Sequence, residues 1–271
     1  MNRGLLIKAL RETYAVTLAI GLGLALAEAV LAGVLPRFQE QIATLWTQLP
    51  FLRNMLQSIL GADLAGRLGP EVLVSIAWVH PVIFALVWTH AIVICTRVPA
   101  GEVDRGTIDV LLGLPVSRWQ IHITEGSVWV LSGGAVIVLG AAGNILGSLA
   151  GSVSPRPDPL RIALIAANLF CLYLSIGSLT VLVASLCDRR GRAMGTAFAV
   201  VLASFLLNYL AQFWAPAESL SFLGALHYYK PLQILRDGTW PLRDLAVLIA
   251  SAAVLWIAGG AIFARRDLTT L

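Results

Sequence analysis

The residues with most chemical reach lie in one charged stretch, Arg97 to Arg118, with the sequence RVPAGEVDRGTIDVLLGLPVSR. Glu102 and Arg105 stand three apart, close enough to pair across one helical turn. Ile108, Leu111 and Leu112 supply an apolar edge beside Asp109. The spacing predicts a short amphipathic helix over 102–112, ended by Gly113 and Pro115, with Ser117 and Arg118 starting the next element. A short, rigid, amphipathic helix at a membrane edge can transmit force from a soluble partner. A solvated cytoplasmic loop is the other reading of the same periodicity.

A second candidate is Glu28, inside an otherwise apolar run. A charge near a bilayer centre costs about 2.5–3.5 kcal/mol on insertion scales. It is read either as a wall residue of a translocation path or proton contact, or as a carboxyl that is protonated or bonded to a neighbouring helix. Asn144, Asn208 and Gln212 are weaker path candidates, since amides within spans more often bond between helices. Serine–histidine, paired-aspartate and metal-ligand spacings do not occur in the apolar runs, so no catalytic residue and no metal ligand is assigned. His80 and His90 are ten residues apart and do not share a helix face. The three cysteines form no disulfide framework. A net charge of +4 without a basic stripe gives no reason to expect nucleic acid as a partner.

The elements that hold these residues are membrane helices. Of 271 residues, 58% are hydrophobic and 13% charged, against about 25% charged in soluble domains. At about 20 apolar residues per crossing, the chain has room for six spans: 14–35, 72–96, 127–149, 160–186, 193–213 and 244–263. Pro81 predicts a kink in the second. Residues 1–13 read as a separate amphipathic elbow lying in the interface, with Leu5, Leu6, Ala9 and Leu10 opposite Arg3, Lys8 and Arg11. The segments 37–69 and 214–243 read as short outer-face helices. Lys and Arg are denser in the set formed by both termini, the 97–118 stretch and the short loop 188–192, which places these on the cytoplasmic side. Trp46, Trp78, Trp214 and Trp240 form an expected outer aromatic belt, with Trp119 at the inner edge. Gly143, Gly147 and Gly151 recur every four residues, a spacing that lets helices approach closely, either within the chain or at a dimer seam.

The order Glu102-x-x-Arg105-Gly106-Thr107-Ile108-Asp109-x-Leu111-Leu112, followed by Pro115-x-Ser117-Arg118 after a second span, resembles the permease subunits of ABC-2 type exporters. The amphipathic start, Tyr228-Tyr229-x-Pro231 and the close Phe263-Ala264-Arg265-Arg266-Asp267-Leu268 resemble the same family, so the likeness covers nearly the whole chain. Asp109 stands where glutamate is frequent. The resemblance implies an all-α integral membrane fold of the type V exporter kind, forming one permease domain over 1–271. It implies a cell-membrane location, a pair with a second copy or a homologous permease, and two copies of a separate ABC ATPase subunit. Glu102, Arg105, Gly106, Thr107, Ile108, Asp109, Leu111, Leu112, Pro115 and Arg118 are then the coupling residues. ATP and magnesium belong to the partner, and this chain binds no cofactor.

The sequence agrees with that division of labour. A phosphate-binding loop needs a lysine after a glycine-rich turn, and the only lysines are Lys8 and Lys230. Leu131-Ser132-Gly133-Gly134 mimics an ATPase signature, but it opens a hydrophobic span and reads as small residues for packing. An ion-coupled secondary transporter, and a membrane relay between an ATPase and an outer enzyme-maturation partner, are the alternatives.

Overall fold

A computed structural model of the chain describes residues 3–38, 70–150, 158–211 and 214–267, together with Thr44 and Gln48. Most of the predicted 37–69 outer segment, including Trp46, lies outside the described residues, as do Gln212, Phe213, Gly151 and the 154–157 part of the proline-rich turn. Among the described residues the secondary structure is helical, with no strand. Six helices are long and apolar enough to cross a membrane.

The first, α1, runs unbroken from Arg3 to Val34. The expected elbow over 1–13 is therefore helical but not a separate element. No proline interrupts the chain before Leu35, and glycine is absent between Leu5 and Ile20, so nothing stops the helix. Leu5, Ala9 and Thr13 fall on one face and are buried, which sets this end against the protein rather than flat on a bilayer surface.

The second span is two helices, α2 (Pro70–Trp78) and α3 (Pro81–Cys95). The break falls just before Pro81, as the sequence predicts. The His80 ring accepts a hydrogen bond from Val82 N at 3.3 Å, and proline at the first helical position needs no donor there. After the charged linker, which contains α4 (Ile108–Leu112), α5 extends from Arg118 to Ala150, nine residues earlier than the hydropathy edge at 127. Asp158 caps α6 (Pro159–Leu186), accepting from Leu160 N at 2.9 Å. α7 is Arg190–Leu210. The 214–243 segment forms α8 (Ala215–Leu220), two 3-10 turns, and α9 (Pro231–Asp237). Gly238, at φ +64°, ends α9 in the left-handed conformation. The last span is α10 (Leu242–Arg265).

The core gathers around α6, whose Ile165, Leu169, Leu172 and Tyr173 are almost wholly enclosed. α1 lies along α5 and α10 along α6. The α1–α5 crossing depends on glycine. A Cβ on Gly143 would stand 2.1 Å from the Ala25 carbonyl oxygen, and one on Gly147 would stand 2.2 Å from that of Ala29. The four-residue ladder thus serves packing within the chain. Gly133 lies equally close to the Tyr173 ring, a packing role for the signature-like tetrad. Trp119, Trp214 and Trp240 are exposed, but Trp78 is fully buried and accepts the Tyr229 hydroxyl on its carbonyl at 3.2 Å. Trp78 belongs to the core, not to an aromatic belt.

At the end of the bundle away from the linker, Asn168 fixes the segment before α9. Its side chain donates to Tyr228 O at 3.4 Å and accepts from Lys230 N at 3.2 Å. At the other end, Leu5 of α1, Ile108 and Leu111 of α4, Ile121 of α5 and Phe263 of α10 form a small separate core. The linker is thereby wedged between three spans.

Candidate functional site

The linker leaves α3 through a wide turn, Arg97–Gly101, in which Val98 is extended and the Val98–Pro99 peptide is cis. A single helical turn follows at Glu102–Asp104. Gly106, at φ +68°, then reverses the chain into α4. No atom lies within 4 Å of where its Cβ would be, so the backbone conformation is what calls for glycine. The single amphipathic helix expected over 102–112 is therefore two short pieces around a left-handed residue.

That break changes which residues face outward. Ile108 is fully buried and Leu111 is 6% exposed. Both pack against their own chain, so they do not form the apolar edge expected for a partner's groove. The exposed apolar residues are Val110 (74%), on α4, and Leu114 (44%), just past its end. Arg105, Gly106, Thr107, Asp109 and Pro115 are exposed around them, and Leu112 is half-buried. The periodicity identified the element but assigned its faces the wrong way round. Val110 and Leu114 carry the same i, i+4 signal in the sequence.

Glu102 is another correction, being buried rather than offered to a partner. Its carboxylate accepts from Arg105 Nη2 at 2.8 Å and from the Thr107 hydroxyl, with Lys8 Nζ at 3.8 Å. Burial alone would raise this carboxyl, but the Thr107 bond and the charges of Lys8, Arg105 and Arg97 outweigh it and hold it below the usual 4.5. A depressed folded value means that its stabilisation is present above about pH 4.5 and is lost as pH falls through the folded value. The melting-temperature gap between wild type and Glu102→Gln is expected to be open at about pH 6 and to narrow progressively as pH falls below the usual 4.5. A gap that widens on acidification would contradict this role.

Behind the linker lies a charged node that the sequence alone did not single out. The Arg97 side chain is 7% exposed and bonds both Glu12 of α1 and Glu125 of α5. Each of these acids ends an apolar run at the same predicted membrane face, which was the available signal. Arg190 Nη2 donates to Val93 O at 3.0 Å. Arg118, expected as a partner contact, donates to the carbonyls of Phe263 (3.1 Å) and Arg266. Arg266 in turn donates to Ser185 O at 3.0 Å and pairs with Asp188. Arginine forks thus tie the ends of α3, α5, α6, α7 and α10 together.

The path candidates separate. Glu28 and Asn144 are both buried and face each other across the α1–α5 seam, with Asn144 Nδ2 donating to Glu28 Oε2 at 2.7 Å. Asn208 is half-buried on α7. Gln212 is outside the described residues. Among the described residues, no three metal-capable side chains stand together.

Six helices are long and apolar enough to cross a membrane, and a linker with one face packed joins the second to the third, the make-up of a multi-pass membrane protein. The family model described as ABC-2 family transporter protein matches residues 38–268. The chain belongs to that family. No curated protein matches it.

Proposed function

We propose that this chain is the membrane-spanning permease of an ATP-driven ABC-2 type exporter, worked by a separate ATPase subunit that docks on the 97–118 linker. The observation that carries this reading is the exposed apolar pair Val110 and Leu114, with Arg105 and Asp109 exposed beside it, on an element whose other face is locked to α1, α5 and α10. An exposed Val110–Leu114 pair ringed by charge has the make-up of an interface centre with a polar rim. Lys and Arg bias puts the linker and both termini in the cytoplasm of the cell membrane, where ATP is available. Two permeases, identical or homologous, pair around the path, and two ATPase copies bind below. ATP and magnesium stay on those partners.

In this mechanism ATP-driven closure of the ATPases pushes on the exposed strip. Ile108, Leu111 and the Glu102 pin make the linker stiff, so the push reaches α1, α5 and α10 rather than being absorbed in a loop. The Glu28–Asn144 pair moves with the α1–α5 block. Asn208 and Gln212 remain the polar candidates along the path.

The test is affinity purification of the full chain from its native membranes, with ATP hydrolysis measured in the eluate. Val110→Asp with Leu114→Asp is expected to cut the recovered ATPase at least tenfold, roughly 1.4 kcal/mol of binding, while the permease stays monodisperse. Undiminished ATPase recovery from that variant would refute docking on this strip.

A further inference from the structure

Glu28 and Asn144, both wholly enclosed, meet where α1 and α5 come closest. Ala25 and Ala29 bracket Glu28 on α1, and Gly143 and Gly147 bracket Asn144 on α5. The crossing that requires glycine therefore also brings these two side chains together. Asn144 Nδ2 donates to Glu28 Oε2 at 2.7 Å. The second oxygen of each group, Glu28 Oε1 and Asn144 Oδ1, is buried and has no partner among the described residues. Neither has surface for a water molecule or a metal ion to touch.

If Glu28 were ionised, both of these oxygens would be acceptors with no donor, and a buried charge would stand without a counter-ion. Nothing in the surroundings offers relief. α1 carries no other charged residue between Glu12 and Val34, and α5 carries none between Glu125 and Ala150. The described side chains of α2, Val72 to Trp78, are uncharged. His90 of α3 meets α1 at Thr17 (3.2 Å), about three turns away at 3.6 residues per turn. Arg37 is exposed past the end of α1. Tyr229 feels Glu28 electrostatically, but its hydroxyl is spent on Trp78 O at 3.2 Å.

We propose that the pair is a proton-binding site: Glu28 carries a proton on Oε1 and donates it to Asn144 Oδ1, so that two reciprocal hydrogen bonds lock α1 to α5. A proton needs no free volume. It turns one orphan acceptor into the donor that the other lacks, since a protonated carboxyl has one O–H. When α1 and α5 part and water reaches the carboxyl, the O–H bond breaks, the proton passes to water and a carboxylate remains. Reclosing takes a proton up again. The site lies about 9 Å along α1 from Val34 and about 24 Å from Glu12, at 1.5 Å per residue. The nearer water is thus at the end of the bundle away from the linker. No ATPase is needed for this binding, so it stands or falls apart from the docking strip.

The experiment uses the full chain in phospholipid vesicles at neutral pH. Infrared difference spectra between wild type and Glu28→Gln are expected to show the carbonyl band of a protonated carboxyl in the wild type alone. Asn144→Leu should move that band to higher frequency, where a carboxyl without an acceptor absorbs. Seam opening is read at Ala32→Cys, buried on the same face of α1 one turn beyond Glu28. Its rate of reaction with a small thiol reagent is followed by mass spectrometry of the labelled peptide. In the open seam the carboxyl has the ordinary value of about 4.3, and the closed seam keeps the proton, so the closed form is lost as pH rises. The rate in the Glu28 background, divided by that in the Glu28→Gln background where the same thiol titrates alike, is expected to rise about tenfold per pH unit across about pH 6 to 7. A spectrum without the carboxyl band overturns the proposal. So does a band indifferent to Asn144→Leu, or a ratio that stays flat with pH.

Discussion

Replacing Arg97 by methionine is expected to destabilise the protein by about 3–5 kcal/mol, the cost of breaking a buried ion pair from one side. The guanidinium is almost enclosed and neutralises two acids from different spans, Glu12 and Glu125. Without it the two carboxylates lose their shared partner, and only the half-exposed Lys8, 3.7 Å from Glu12, remains nearby. Thermal unfolding of the purified chain measures the loss, and the linker end should become the first protease-sensitive region. The decisive control is the triple variant Arg97→Met, Glu12→Gln, Glu125→Gln, in which no charge is stranded. It should recover most of the lost stability, because an apolar or neutral replacement of a whole buried pair is often tolerated. A triple variant as unstable as the single one would mean that Arg97 acts through its shape and not its charge.

Gly143→Leu combined with Gly147→Leu is expected to cost about 3 kcal/mol, at the upper end of overpacking effects, and to separate α1 from α5. The obstruction is backbone, Ala25 and Ala29, so no rotamer change can relieve it. The Glu28–Asn144 bond crosses the same seam at 2.7 Å and would be broken with it. Gly195→Ala on α7 is the matched control, since no atom lies within 4 Å of its Cβ position. It should leave the melting temperature unchanged or raise it slightly, because alanine favours helix over glycine by about 1 kcal/mol. Equal effects at both sites would remove the case for a glycine-dependent crossing.

Much of the architecture was legible in the residues. Six apolar runs gave six spanning helices, Pro81 gave the break in the second, and Asp158 with Pro159 fixed the start of the fourth. The four-residue glycine ladder announced a close helix crossing. What stayed hidden was orientation within short elements. Ile108 and Leu111 form as good an apolar stripe as Val110 and Leu114, and periodicity cannot say which stripe meets the chain's own core. Gly106 decides it, because its left-handed backbone turns α4 relative to the turn before it. Trp78 misled for a related reason: span-edge position predicts a lipid-facing tryptophan, but α9 and Tyr229 fold over it.

Hydropathy and charge spacing by themselves determined that this chain carries six helices long and apolar enough to cross a membrane, with a charged linker between the second and the third. Those properties depend on transfer energies of single residues, which the sequence states directly. Only the tertiary structure decided that α1 runs straight through the expected elbow, that Arg97 binds Glu12 and Glu125, and that Val110 and Leu114, not Ile108 and Leu111, stay bare. Each of those outcomes depends on which helix lies next to which, and residues as distant as Glu12 and Glu125 carry no mark of meeting until the chain has folded.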